Sequence, residues 1–171
     1  MSAAPLVLGI DPGTAICGFG VVRVGGDSRA TLVECGVIRT RASEPLPARL
    51  LTISDCITEL IERHRPDVVA LENVFHGSNS RSALVLGHAR GVVMLAAARN
   101  GLDVAEITPA EVKRAIGGNG AASKDQVAAM VARLLRLSAP PTPADAADGV
   151  AIALTHLIRI APRARLAGAM R

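Results

Sequence analysis

The residues of this chain that could do chemistry are four acids, each at a point where a strand is predicted to end or a helix to begin. They are Asp11, Glu72, Asp145 and Asp148. Carboxylate oxygens are the ligands that hard cations such as Mg²⁺ and Mn²⁺ prefer. Two such ions about 4 Å apart can activate water and stabilise the leaving oxygen in phosphodiester hydrolysis. If the fold brings the four acids together, they predict a divalent-metal site and, with it, a nuclease.

Asp11 and Glu72 each follow a short apolar run that predicts a buried strand. The first run, Leu6–Ile10, is too short for a helix and suits a central strand covered on both faces. Pro12 disfavours helical backbone at Asp11 and so keeps it extended at the strand tip. The second run, Asp67–Leu71, follows a predicted helix, and a strand reached through a crossover helix lies parallel in the same sheet. If the two strands are neighbours, Asp11 and Glu72 lie side by side at one edge.

Asp145 and Asp148 lie three residues apart at the start of the predicted last helix, and therefore on one face of it. We expect Thr142 to cap this helix and Pro143 to be its first residue. The neighbouring residues are mostly Ala and Gly, so the helix can press closely on a sheet. Asp148 lies near the apolar stripe that the helix would bury, where a carboxylate needs a partner. The segment itself offers no obvious Lys or Arg for that role.

The remaining elements are predicted from apolar periodicity and from capping signals. Two strands, Ile16–Val24 and Thr31–Ile38, form an antiparallel meander with the first strand, and a further strand covers Asp103–Ile107. Helices are predicted from Leu46 to before Pro66, from Arg81 to Asn100, from Pro109 behind a Thr108 cap, and from Ser123 to about Leu137.

The predicted helix Arg81–Asn100 is apolar around most of its circumference. Such a helix must be covered on most sides, and we expect the sheet and a second subunit to cover it. Gly87 and Gly91 lie four residues apart on one face, which permits the close approach of another backbone. An internal contact would explain these two glycines equally well.

Composition is compatible with one α/β domain that handles an anionic polymer. The 171 residues can bury a sizeable core, which must be aliphatic because the chain has two Phe and no Tyr or Trp. The net charge is +4, and most cations are Arg, which favours bidentate contact with phosphate. Three separated cysteines without a C-x-x-C pair argue against a structural zinc site or a disulfide framework. We expect reduced thiols, no signal peptide or membrane span, and a cytoplasmic location.

Three of the four acids also have an ordinary structural explanation. Asp11 is a favoured residue at the start of a turn, and Glu72 could simply open a loop. Asp145 stands where an acid helps any helix to begin. Asp148 is the acid that helix capping does not explain.

The motifs, taken in order, resemble one known family. G-I-D-P-G, A-L-E-N-V-F, L-G-H-A-R-G and D-A-A-D-G-V-A-I-A-L-T-H follow one another along nearly the whole chain as they do in the RuvC family of Holliday junction resolvases. The resemblance implies a ribonuclease-H-like α/β fold, with a five-stranded mixed sheet flanked by helices. The residues themselves show no repeat or second domain, so we expect a single nuclease domain over residues 1–160 and a basic, flexible tail over 161–171. The resemblance also implies a homodimer that nicks two opposed strands of a four-way junction and leaves ligatable ends.

Residue roles carried over by motif follow from the same resemblance. Asp11, Glu72, Asp145 and Asp148 become the catalytic, metal-binding set, holding two Mg²⁺ ions for which Mn²⁺ could substitute. Phe75 falls where the family places an aromatic that stacks near the opened junction centre, or it could tuck under its own loop. Lys113, Lys124 and Arg81 are assigned to DNA binding, and the helix that begins at Arg81 to the dimer contact. A branch-migration motor complex is an expected partner.

One position departs from the family pattern, because Gly149 stands where Ala is usual after the second Asp of D-A-A-D. We expect this glycine to loosen the helix by up to about 1 kcal/mol without removing a ligand.

Three other kinds of protein compete with the nuclease interpretation. A sugar-kinase or actin-like ATPase would need a second domain and a second glycine-rich phosphate loop, which 171 residues do not provide. A ribonuclease-H-like protein that only binds structured RNA should lack at least one of the four acids. An architectural junction binder would bind without metal and would not cut.

Overall fold

The structure is a computed structural model that describes residues 5–25, 29–73 and 80–160. Its five strands are β1 (Leu6–Asp11), β2 (Ile16–Val24), β3 (Ala30–Arg39), β4 (Val68–Glu72) and β5 (Asp103–Ile107). Its five helices are α1 (Leu46–His64), α2 (Ser80–Arg99), α3 (Pro109–Gly117), α4 (Lys124–Leu135) and α5 (Ala144–Ile160).

The five strands form one mixed sheet in the order β3-β2-β1-β4-β5. The meander β1–β2–β3 is antiparallel, whereas β4 lies parallel to β1 and β5 parallel to β4. The predicted meander and the parallel crossover strand are therefore confirmed. The central position of β1 explains its apolar composition, since its residues from Leu6 to Ile10 are buried.

Each face of the sheet is covered by helices, and side-chain alternation along the strands separates the two cores. Leu8 and Ile10 of β1 belong to a cluster with the buried residues of α1 and α2. Val7 belongs to the opposite cluster, which α3, α4 and α5 complete. Asp11 follows Val7 and Gly9 in this alternation, so its side chain lies on the α5 face.

α5 packs unusually close to the sheet, because both the helix and the strands have glycines where they touch. A Cβ placed on Gly18 of β2 would lie 1.9 Å from the carbonyl oxygen of Asp145, and one on Gly9 would lie 2.3 Å from that of Gly149. A Cβ on Gly149 itself would lie 2.6 Å from the Cα atom of Phe19. Gly149 therefore has a packing reason in this chain, because a larger residue would push α5 away from β2.

Both capping boxes are confirmed, but the start of α5 is not where we expected it. The side chains of Thr108 and Ser123 accept hydrogen bonds from the backbone three residues on, as predicted. α5 begins at Ala144, one residue late, because the Pro143 carbonyl accepts the first helical hydrogen bond, from Ala146 at 2.9 Å. The prediction of Thr142 as the cap was wrong, since Pro143 takes that position.

The other boundaries differ by one or two residues. β3 is longer than predicted by one residue at each end, and β4 begins at Val68 because the Asp67 side chain accepts a hydrogen bond from the Leu6 backbone at 2.7 Å. α4 ends at Leu135, since Arg136 has a left-handed φ of 55°. The predicted tail over 161–171 lies outside the described residues, and the domain limits stay a prediction. No described helix combines the length and hydrophobicity that a membrane span needs.

The contact between α5 and β2 yields a prediction about Gly18. Gly18→Ala should lower the melting temperature, because the new methyl group displaces the backbone that carries Asp145. Gly120→Ala is the matched control, since a Cβ there meets open space. Thermal unfolding of both variants checks this. Equal behaviour of Gly18→Ala and wild type would contradict the close packing.

Candidate active site

Asp11 and Glu72 are neighbours at the carboxyl ends of two parallel strands. Ile10 pairs with Leu71 across β1 and β4, so the next residue on each strand is one of these acids. Ala70 belongs to the cluster on the α5 face, and alternation therefore places Glu72 on that face, as it does Asp11. The predicted juxtaposition of Asp11 and Glu72 is what the sheet register produces.

Burial and mutual repulsion keep one proton between these two acids. The pKa of Asp11 is raised to about 8, first by burial, then by the charge of Glu72 and the hydrogen bond to it, and then by the charge of Asp148. Burial also raises the pKa of Glu72, and the charge of Asp148 adds to this. The Asp11 carboxyl group thus donates a hydrogen bond to the Glu72 carboxylate at neutral pH.

The start of α5 brings Asp145 and Asp148 to the same edge. The Asp145 backbone lies against Gly18, which is the cross-strand partner of Asp11. The negative charge of Asp148 raises the pKa values of both Asp11 and Glu72. β1, β4 and α5, which are distant in sequence, therefore bring Asp11, Glu72 and the start of α5 to the same end of the sheet.

Lys124 supplies the partner for Asp148 that α5 itself lacks. Its Nζ atom lies 2.9 Å from Oδ2 of Asp148, and this contact raises the pKa of Lys124. The ammonium group also lowers the pKa values of Asp11 and Glu72, although burial outweighs it there. The Lys124 side chain is 81% exposed, so the ion pair is weak and open to exchange.

The donor set suits a hard divalent cation. A bound cation would offset the electrostatic repulsion among the carboxylates of Asp11, Glu72 and Asp148. It would also displace the proton from Asp11. Within the described ranges, no group of three or more His, Cys, Asp or Glu side chains could hold a metal ion as it stands. Asp148 is turned to Lys124, so the side chain must exchange that partner to join a metal site.

Arg90 of α2 supports this edge, and our sequence reasoning gave it no role. Its guanidinium donates through Nη1 to the carbonyl oxygen of Glu72 and through Nη2 to Oε2 of Glu106 at 2.7 Å. The side chain is 15% exposed, and its charge lowers the pKa of Glu72. Arg90 therefore fixes the ends of β4 and β5 beside each other. The signal was available in the L-G-H-A-R-G motif, which contains this arginine.

The predicted DNA-binding residues fall in different places. Lys124 is beside the acids, as described above. Arg81, in the first turn of α2, lines an open cleft of about 320 Å³ together with Thr14, three residues past Asp11. Lys113 is half-buried on α3, and no ion pair joins it to the acids in the part of the chain that the structure describes. Phe75 lies outside the described residues, so its predicted stacking role stays a prediction.

Comparison with known proteins identifies the family. The family model for the crossover junction endodeoxyribonuclease RuvC matches residues 7–156. The RuvC of Paenarthrobacter aurescens is 52% identical over 153 residues, which cover 90% of this chain and 81% of that protein.

Two solved structures share the fold. Thermus thermophilus RuvC in complex with a Holliday junction substrate superposes with a TM-score of 0.87 at 39% identity, covering 91% of this chain and 94% of that one. The yeast mitochondrial Holliday junction resolvase Ydc2 has a TM-score of 0.68 at 15% identity, covering 91% and 78%. The ribonuclease-H-like fold with a five-stranded mixed sheet is confirmed, and the chain belongs to the RuvC family of crossover junction endodeoxyribonucleases.

Proposed function

We propose that this protein is a structure-selective endodeoxyribonuclease that resolves four-way DNA junctions by paired, metal-dependent phosphodiester hydrolysis during recombination and repair. The proposal is carried by the pairing of Asp11 with Glu72 at one sheet edge, with the charge of Asp148 acting on both, in a chain of the RuvC family. Nucleases of this family are metal-dependent. We assign Asp11, Glu72, Asp145 and Asp148 as the ligands, and two Mg²⁺ ions, replaceable by Mn²⁺, as the cofactor.

The chain's own residues prepare the site for a phosphodiester. A divalent cation bound there supplies charge that lowers the pKa of water and stabilises the leaving oxygen. The acids, held by the sheet and by α5, fix where that charge sits, and Arg90 fixes the backbone at Glu72. The exposed Lys124 ammonium offers a positive charge to a phosphate oxygen beside the acids. Hydrolysis then breaks one P–O bond while the oxygen of water bonds to phosphorus.

The rival without catalysis is a ribonuclease-H-like protein that binds structured nucleic acid and does not cut it. Such a protein has no use for two adjacent carboxylates that burial and repulsion destabilise. The raised pKa of Asp11 is therefore an argument for the nuclease. An ATPase of the sugar-kinase or actin type is a weaker rival, because such a protein needs two domains and the described residues form one five-stranded sheet.

The four-acid assignment predicts that Asp148→Asn abolishes junction cleavage while junction binding stays within about twofold of wild type. The substitution removes a metal ligand but leaves the basic surface in place. Asp125→Asn is the matched control, since Asp125 is an exposed acid in the first turn of α4. Cleavage of a synthetic mobile junction in Mg²⁺ and anisotropy in chelator measure the two properties. Cutting by Asp148→Asn at the wild-type rate would contradict the assignment.

A homodimer is part of the proposal, and α2 supplies the argument for it. One face of α2 packs inward through Ala89, Val93 and Ala96, whereas Leu84 and Leu95 on the other face are 65% and 50% exposed. Within the described structure, a Cβ on Gly87 or Gly91 would meet no atom within 4 Å, which argues against the internal contact considered above. A second copy of α2 would cover this face, and a two-fold dimer would set one site against each of two opposed strands.

The dimer proposal predicts that Leu84→Glu/Leu95→Glu sediments as a monomer at concentrations where the wild type is a dimer. Paired nicking should fall at least tenfold, because two sites no longer act on one junction. Leu51→Glu on α1 is the control, since Leu51 is 61% exposed but lies on another helix. Sedimentation velocity and two-strand cleavage are the readouts. A double variant that remains dimeric would overturn this role of α2.

Other cellular roles follow from the same proposal. A branch-migration motor complex would deliver the junction to the dimer. Because the proposed substrate is chromosomal DNA, we place the protein in the cytoplasm.

A further inference from the structure

The sheet edge that carries the acids continues across two strands to an arginine. Asp11 pairs with Gly18 of β2, and Ile16, two residues before Gly18, pairs with Arg39 at the end of β3. Ile38 belongs to the cluster on the α1 face, so alternation places Arg39 on the α5 face, as it does Asp11. Two strand spacings separate the two residues laterally by about 10 Å.

Arg49 reaches the same edge from α1. Its Nε atom donates to the carbonyl oxygen of Thr14 at 3.2 Å and lies 3.0 Å from Oγ1 of Thr40. The Thr40 hydroxyl donates to the same Thr14 carbonyl, and the Thr40 backbone donates to Ala15 at 3.1 Å. These bonds hold the turn that follows Asp11 against the end of β3.

Much of the Arg49 guanidinium is left for a ligand. Nε takes both contacts, so the four N–H donors of the two Nη atoms have no partner in the described part of the chain. Arg39 and Arg41 are exposed, and neither side chain makes an ion pair with a described residue. Glu44, whose backbone donates to the Arg41 carbonyl at 3.0 Å, is the acid nearest in sequence. We call Arg39, Arg41 and Arg49 the arginine rim.

The arginine rim has the chemistry of a phosphate-binding surface. A guanidinium binds phosphate through two parallel hydrogen bonds, and a fixed one loses little conformational entropy on binding. The four acids repel the DNA backbone, so the strand beside the cleaved bond needs cations on the protein to hold it. A contact about 10 Å from the acids would therefore fall on a backbone phosphate that neighbours the cleaved bond, not on the cleaved phosphate itself.

We propose that Arg39 and Arg49 bind backbone phosphates of the DNA strand next to the bond that is cut, with Arg41 extending the contact. This inference rests on the proposed function and adds a binding surface to it. The contact orients the strand over the acids and carries no sequence information. The DNA strand then runs from the acids across the ends of β2 and β3, and the arginine rim sets the direction in which it leaves the site.

The test is the salt dependence of junction binding, measured by fluorescence anisotropy in chelator from about 50 to 200 mM salt. Each lost phosphate contact should reduce the slope of log K against log salt by about 1. Arg39→Gln should therefore lower the slope by about 1 and Arg39→Gln/Arg49→Gln by about 2, with affinity falling on the order of threefold for each side chain. Arg39→Gln has no protein partner to lose and is decisive even if the Arg49 substitution disturbs the turn.

Arg23→Gln is the matched control. Arg23 is an exposed arginine on the same sheet, but it pairs with Leu6 at the opposite end of β1. Its slope should equal that of wild type. If Arg39→Gln and the double variant have the slope of Arg23→Gln while the wild type binds and cuts junctions, the inference is wrong and the proposed function stands. If the wild type binds no junction, both are wrong.

Discussion

The structure of this edge depends on two half-buried carboxylates held side by side. Asp11 and Glu72 end adjacent parallel strands, and neither can move away because its backbone is part of the sheet. Burial and the charge of Glu72 raise the pKa of Asp11 to about 8, which is the cost of that placement. Two adjacent carboxylates do not by themselves stabilise a fold. The arrangement makes sense as a site prepared for a cation, in which binding energy from the metal offsets the repulsion.

The rest of the molecule serves this edge. Glycines of β1 and β2 let α5 lie close enough for Asp148 to act on Asp11, and Lys124 holds Asp148 on the solvent side. Arg90 binds the backbone at Glu72 from α2, and Arg49 binds the turn after Asp11 from α1. Helices on both faces of the sheet thus hold the same few residues in place. This explains how acids from separate segments of the sequence can lie at the same end of the sheet.

Local sequence predicted the elements well and long-range contacts poorly. Apolar runs and capping residues located every described strand and helix to within about two residues, because these signals act over a few positions. The pairing of Lys124 with Asp148 spans 24 residues, and that of Arg90 with Glu72 spans 18, so no periodicity could reveal them. The cap of α5 was misplaced because Pro143 and Thr142 both fit the start of a helix. Gly149 had looked like a weakness, and only its contact with Phe19 explains it.

The most direct test of the carboxylate pair is the melting temperature of wild type and Asp11→Asn from pH 5 to 9, with and without Mg²⁺. The native state retains the Asp11 proton up to about pH 8 whereas the unfolded chain releases it near pH 4, so metal-free stability should fall as pH rises through this window. We predict a steeper fall for wild type than for Asp11→Asn, and a Mg²⁺ stabilisation that grows with pH in wild type alone. Identical pH profiles for the two proteins and no effect of Mg²⁺ would contradict the account.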